Sequence, residues 1–419
     1  MSLSFPAVPV RQLRDARSAG KEACVDLASS SVCRIEIVST RAGFDALETQ
    51  WNTLFERAAH ADQVFQNFNW LWHWANHFLN DKTQLRVVTG WRDGRLAMVW
   101  PLVATKKFGI TRLSWMGEPI SQYGDALVEA GPAAKVMMKL GWDQACRCGA
   151  DFVLLRKTRA SSAAASIIAP AVPCGTEAAS VLDFKDATDF DDVLSRLSSR
   201  ERSSRRRLKR RLFEKGAIVF RDSEDEKEKR SLVEQAFQLK RKWLARRGRY
   251  SPTIESEATL SFFLDAASSV VRPIGMPINA IYCDGQAIGI AFSLSCKDET
   301  IGYMIAHDTD FEKQGIGVLL VEHTLRSSFE RSSQRFDMLA PRDDYKTEWT
   351  NDIVPVCDWI LPFTTRGRLY AQFHVSALQR LLRAFKTLDP SIGRIVWPAI
   401  RSLKKIIQRN FTAGLARNK

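Results

Sequence analysis

The chain has 419 residues, 45% hydrophobic and 26% charged, the make-up of a globular protein with room for two or three cores. Its net charge of +14 selects anionic partners: nucleotides, nucleic acid, acidic glycans or a lipid surface. Eight scattered cysteines, without a C-x-x-C pair, fit neither a zinc site nor a disulfide framework, so no metal and a reducing, cytoplasmic setting are expected.

Residues 1–31 mix both charge signs without an apolar run and are expected to form a mobile tail rather than a signal peptide. A strand is predicted over 33–38 and a helix over 42–57, with Phe44, Leu47, Trp51, Leu54 and Phe55 on one stripe. A second helix carries Trp70, Leu71, Trp74 and Phe78; such a stripe belongs in a core, although aromatics can also stack on bases. Two apolar runs joined at Asp93-Gly94 predict a hairpin. A strand over 111–116, a helix over 133–146 and a buried strand over 152–155 follow.

The same plan then recurs. Helices are predicted over 190–215, 225–247 and 255–270, and a second pair of apolar runs joins at Asp284-Gly285. Strand, helices, hairpin, strand and helix thus occur twice, which predicts an internal duplication of one α+β unit.

In the second unit a strand with Ile301, Tyr303 and Ile305 leads through a polar turn to Gly315-Ile316-Gly317. An amphipathic run with Val318, Leu319, Val321, Leu325 and Phe329 follows. Glycines at a strand-to-helix junction let backbone N–H groups face an anion, and the helix N-terminus adds unpaired donors. The dinucleotide-binding motif is absent, since Leu320 stands where its third glycine belongs, and no Gly-Lys-Ser/Thr exists for a P-loop. The first unit lacks the paired glycines, so chemistry is assigned to the second.

The segment resembles the pyrophosphate loop of the GNAT acetyltransferases, with Gln314, Gly315 and Gly317 in place and Glu312 departing from the usual Gln/Arg slot. Over about 34–363 the chain resembles the CelD/BcsL-type GNAT acetyltransferases of exopolysaccharide and cellulose synthesis, and distantly the Fem ligases. The matching residues include Trp51, Pro101-Leu102, Gly117, Asp125, the basic stretch 199–211, Lys242-Trp243, Arg247-Gly248, Tyr303, Asp308 and Asp344-Tyr345-Lys346.

The resemblance implies an α+β fold of tandem GNAT-like domains, each a mixed, mostly antiparallel sheet flanked by helices, over 32–183 and 184–363. A basic helical extension covers 364–419. It implies acyl transfer from acetyl-CoA to an amine or hydroxyl, with Ile305, Ala306, Gln314, Gly315, Ile316, Gly317 and Val318 holding the donor. His307 or Asp308 is the candidate base, by the ordinary imidazole pKa and by the family pattern respectively; each could equally be a loop or turn-capping residue. Tyr345 is the candidate proton donor to the thiolate. Lys346 belongs to the same candidate catalytic set and could bind a phosphate or acidic acceptor, while Asp344, Trp243, Arg202 and Arg206 are candidates for binding substrate.

Eight basic residues between Arg200 and Arg211 could grip a polyanion such as tRNA, or form a solvated helix. Val396, Ile400, Leu403, Ile407 and Phe411 with Arg401, Lys404, Lys405 and Arg409 make an amphipathic stretch that could lie on an anionic membrane or on the protein body. Two alternatives stay open: Fem-like transfer from aminoacyl-tRNA, and a non-catalytic polyanion-binding scaffold.

Overall fold

The computed structural model describes residues 33–168, 171–223, 225–268 and 275–373. The expected tail (1–31) and the amphipathic C-terminal stretch lie outside the described residues.

Strands of the first unit are β1 (Cys33–Val38), β2 (Thr83–Leu85), β3 (Val87–Arg92), β4 (Arg95–Trp100), β5 (Leu102–Lys107), β6 (Ile110–Trp115), β7 (Leu127–Val128), β8 (Phe152–Arg159) and β9 (Val172–Asp183). Its helices are α1 (Arg41–Asp45), α2 (Glu48–Ala58), α3 (Phe68–Phe78) and α4 (Ala134–Cys146). The second unit holds α5 (Phe190–Ser195), α6 (Ser199–Phe213), β10 (Ile218–Ser223), α7 (Glu226–Arg246), α8 (Pro252–Glu255) and α9 (Glu257–Ser268). It continues through β11 (Ile278–Cys283), β12 (Gln286–Cys296), β13 (Glu299–His307), α10 (Ile316–Glu330), β14 (Arg335–Asp337), α11 (Asp344–Thr347), β15 (Asp352–Pro362) and α12 (Thr365–Phe373).

Both hairpin turns have Asp then Gly at positive φ, 53° and 75° at Asp93-Gly94, 49° and 81° at Asp284-Gly285, the geometry that matches strand twist in a two-residue loop. The first hairpin is bent at Arg86 and Pro101. Proline brings no N–H to the ladder, so β2·β5 and β3·β4 fall into different sheets. With that break counted, and β7 aside, the strands of the two units follow the same order.

The sheets are not two separate layers as the duplication suggests. One has four strands, β1-β3-β4-β7; the other has eleven, β10-β11-β12-β13-β14-β9-β15-β8-β6-β5-β2. Its centre is an exchange. β14 pairs antiparallel with β9 of the first unit, β8 pairs antiparallel with β15 of the second, and β9 and β15 pair together. Outside them, β13·β14 and β6·β8 are the two parallel pairs. The α+β class and mostly antiparallel pairing expected from sequence are present, in a sheet shared by both units.

The helix predicted over 190–215 is two helices. Ser198 accepts from the amide of Glu201 while the Glu201 carboxylate accepts from the amide of Ser198, a capping box that starts α6 afresh. The helix expected over 255–270 is α9, with the short α8 immediately before it.

The aromatic stripes are core. Trp51, Trp70, Trp74, Phe44, Phe55, Phe65 and Phe68 are buried, and each of the three indole N–H groups donates inside the protein: Trp51 to Gln66 O (2.9 Å), Trp70 to Ser121 Oγ (3.0 Å), Trp74 to Glu118 O (2.9 Å). Trp70 of α3 meets Phe262 of α9 edge-on at 4.8 Å, so one apolar core crosses from unit to unit.

A buried ion cluster crosses the same boundary. Asp337, at the end of β14, accepts from Arg159 Nη1 (3.0 Å) and from the Tyr123 hydroxyl (3.0 Å), and Arg159 also faces Asp62 at 3.4 Å. Burial pushes the Asp337 carboxyl up while the guanidinium opposes it. Arg159→Met should therefore cost about 3–5 kcal/mol, because it leaves Asp337 charged and unpaired in the interior; the check is the urea midpoint of the variant against the parent.

Candidate functional site

The site begins where β13 parts from β14. β13 pairs with β12 over its length, but with β14 only through Glu299, Thr300 and Ile301. β13 is bulged just beyond these: Tyr303 is the extra residue between Gly302 and Met304, which pair with the consecutive Ser293 and Phe292 of β12. Gly302 is required there: a Cβ would lie 2.7 Å from the Phe336 ring. Beyond Asp337 the chain leaves the sheet, as Leu339, at φ 62°, donates its amide to the Asp337 carboxylate at 2.7 Å. The buried cluster thus holds the two strands apart.

A cavity of about 390 Å³ fills that opening. α10 supplies Val321, Thr324 and Leu325 to its wall, α7 supplies Phe237 and Lys240, and the first unit supplies Gln122 and Lys157. Of the expected catalytic residues, Tyr345 and Lys346 line it. Lys346 is buried and donates to the carbonyls of Leu339 (2.9 Å) and Pro341 (2.8 Å), so it fastens the loop after β14 as well as facing the cavity. Surrounding protein pushes the Tyr345 phenol up to about 12, which keeps it protonated at neutral pH.

His307 and Asp308 lie outside the cavity wall. His307 turns towards the start of α10, where a Cβ on Gly317 would stand 3.4 Å from its Cε1, and faces Glu312 at 3.4 Å. Burial lowers its pKa. Asp308 caps the short 3₁₀ helix Thr309–Gln314, accepting from the amide of Asp310 at 3.1 Å, and pairs with Lys242 at 3.2 Å. The capping alternative describes its placement.

At the head of α10, Gly315 adopts φ 69° and ψ 31° and is the N-cap without a side-chain hydrogen bond. Leu319 N is the first amide to bond back, to Gly315 O at 3.1 Å, leaving Ile316, Gly317 and Val318 with no acceptor among the described residues. Gln314 Oε1 is buried and also without a partner. Ile305 and Ala306, on the preceding strand, complete the expected donor-binding set; Ile305 is part-buried at the cavity and Ala306 is core.

Glu312 does not leave this head of α10 acidic. Arg247 stands 3.3 Å from it, Arg246 pairs with Asp310 at 2.8 Å, and Lys242 with Asp308. Lys313 lies in the loop itself, and the cation absent from the Glu312 position is supplied by the end of α7. Trp243 lies between Lys240 and Arg247, whose charges sit 4.8 Å and 4.2 Å from its ring.

The remaining sequence candidates lie elsewhere. Arg202 donates to the carbonyls of Ser195 (2.9 Å) and Leu197 (2.6 Å), capping the end of α5. Arg206 is exposed on α6, beside exposed Arg207, Lys209, Arg210 and Arg211. Arg205 is buried between Glu322 and Glu348 over the Trp349 ring. Asp344 is exposed at the start of α11.

Lys240 was missed. Its Nζ donates to Ile305 O at 2.9 Å, on the edge of β13 that faces away from β12, and burial lowers its pKa to about 8. A signal existed: the buried stripe of α7 runs Val233, Phe237, Lys240, Leu244, so the lysine interrupts an apolar face. Lys157 and Gln122 carried no such signal.

Residues 199–347 match the family described as "Acetyltransferase (GNAT) domain", which spans α6 through α11 and contains both the cradle and the strand opening. No curated protein matches the chain by sequence. Among solved structures, FemX is similar at 11% identity and a TM-score of 0.56, over 78% of this chain and 98% of that one. A conserved protein of unknown function from Bacteroides thetaiotaomicron is similar at 10% identity and 0.51, over 78% and 100%. At such identities these likenesses show the fold.

Gly315→Ala should destabilise the protein by about 1–3 kcal/mol, since it adds a left-handed non-glycine residue and a Cβ only 2.6 Å from Leu208. Gly317→Ala, with 3.4 Å of room inside a helix, should be neutral or slightly stabilising. Urea titration of both variants reads the difference.

Proposed function

We propose that the chain transfers an acyl group from acyl-CoA to an amine or hydroxyl acceptor. The observation that carries this reading is the opening between β13 and β14, with three unpaired amides of α10 near one end and a cavity behind it. The family match over 199–347 supports it. The residues fit the donor in kind: amides of Ile316, Gly317 and Val318 for a pyrophosphate, and Arg247 for added positive charge. Bound there, acyl-CoA would supply an activated thioester.

The chain's own groups would then move two protons. Lys240, on the strand edge at a pKa of about 8, is partly neutral near physiological pH and is placed to accept one from the acceptor. Tyr345 stays protonated and can return one to the departing thiolate. His307 and Asp308 are assigned to shaping the loop. The sequence resemblance to the CelD/BcsL type supports an acceptor from exopolysaccharide or cell-envelope biosynthesis, and a cytoplasmic enzyme working near the inner membrane surface. Among the described residues no helix is long and apolar enough to cross a membrane.

A second reading, transfer from aminoacyl-tRNA, is favoured by the exposed Arg206, Arg207, Lys209, Arg210 and Arg211 of α6. Dependence of the reaction on charged tRNA separates it from the first.

Calorimetric titration with acetyl-CoA tests the donor. Gly317→Asp adds an acidic residue to the first turn of α10, which suits the helix, yet places negative charge in the cradle. It should lower acetyl-CoA affinity by tenfold or more, about 1.4 kcal/mol. Equal binding to parent and variant, or none to either at millimolar ligand, would sink the acyl-CoA reading. With an acceptor found by screening, the rate should climb with pH to a plateau above about 8. Lys240→Met should lose that limb and about 10²–10⁴-fold in rate, with acetyl-CoA affinity retained.

A further inference from the structure

Three lysines line the cavity, Lys157, Lys240 and Lys346, and no aspartate or glutamate does. No carboxylate stands within 4 Å of the ammonium of Lys157 or Lys240 among the described residues, and Lys346 reaches Asp343 only at 4.0 Å. Their partners are neutral oxygens: Gln122 Oε1 for Lys157, Ile305 O for Lys240, and Leu339 O and Pro341 O for Lys346. Carboxylates stand farther off, Glu177, Asp358 and Glu118 around Lys157 and Asp343, Asp337 and Glu177 around Lys346, so the ammonium groups are partly compensated at a distance while neutral oxygens alone bond them inside the cavity. Gathering like charges out of water costs folding energy, and such a cost is retained at sites that bind an opposite charge. Burial is the largest cause acting on each and lowers the pKa of all three, against the raising effect of the surrounding carboxylates, Asp343 among them for Lys240 and Lys346.

Lys157 is held deliberately. It lies in β8 of the first unit at φ 54°, and its amide donates to Asp358 at 2.8 Å, which fixes the backbone where the side chain meets the Gln122 amide oxygen. The Gln122 amide nitrogen in turn donates to Ile120 O at 3.1 Å and reaches the Tyr303 hydroxyl at 3.4 Å.

We propose that the cavity recognises an anionic group carried by the acyl acceptor, a carboxylate or a phosphate, on the ammonium groups of Lys157 and Lys346. The inference rests on the acyl-transfer reading for the word acceptor, but the anion site itself does not. Lys157 then selects the substrate, while Lys240 stays on the strand edge at Ile305 O. The first unit, which lacks a donor cradle, contributes the wall that reads the acceptor's charge. An acceptor that carries its anion close to the reacting amine or hydroxyl fits a cavity of about 390 Å³.

The test uses the full chain labelled with ¹³C,¹⁵N-lysine, which leaves every ammonium N–H in place, and reads the Cε and Nζ signals of each lysine by NMR. Lys157→Arg and Lys346→Arg identify the two resonances while preserving the cation. Inorganic phosphate and acetate are titrated separately, first alone and then with acetyl-CoA saturating the cradle. The expected result is a saturable shift confined to the Lys157 and Lys346 signals. With it, the pKa of Lys157 should rise by about one unit, equal to tenfold tighter anion binding to the charged form. A response to phosphate alone, or to acetate alone, fixes which anion the site takes. A uniform drift of all lysine signals, which is salt screening, or the lack of a saturable response at Lys157 or at Lys346, would overturn the proposal. Failure of acetyl-CoA to bind would remove the acyl-CoA reading and leave the anion arms readable.

Discussion

Asp337 is the point on which the site depends. One buried carboxylate, held by Arg159 and Tyr123 from the first unit and by the amide of Leu339 from its own, ends β14 three residues after it begins. Were the strand to continue, β13 would be paired on both edges and no opening would exist. Removing a buried partner costs more than the pair contributes, so the cluster acts as a fixed stop. The same contact joins the units and opens the cleft.

The head of α10 works under an opposite constraint. Three unpaired amides favour an anion, yet Asp308, Asp310 and Glu312 crowd the turn before them. α7 resolves the conflict by sending Lys242, Arg246 and Arg247 across the turn, so that each carboxylate is matched. Most of these side chains are well exposed, and each pair alone is worth little. As a set they cancel the acidity of the turn, and that bears on ligand more than on stability.

The exchange of β9 and β15 explains why a unit without a cradle persists beside one that has it. Lys157 stands near the end of β8, and β8 is paired to β15 of the other unit, so the first unit's side chains are carried to the second unit's cavity. Separating the units would remove two strands from the centre of an eleven-stranded sheet.

Much of this was legible in the residues. Hairpins at Asp93-Gly94 and Asp284-Gly285, the repeated plan, the aromatic core and the glycine junction before α10 all follow from local rules: turn chemistry, period and the freedom of glycine at positive φ. Lys240 was visible in principle, as a charge on an apolar stripe. Only the tertiary structure decided the rest. Capping at Ser198 divided a helix that its composition ran together, and β10, β9 and β15 went unpredicted, the last two being strands whose partners come from the other unit. The union of Lys157, Gln122, Lys240 and Lys346 in one cavity depends on long-range pairing, which leaves no mark within a window of sequence.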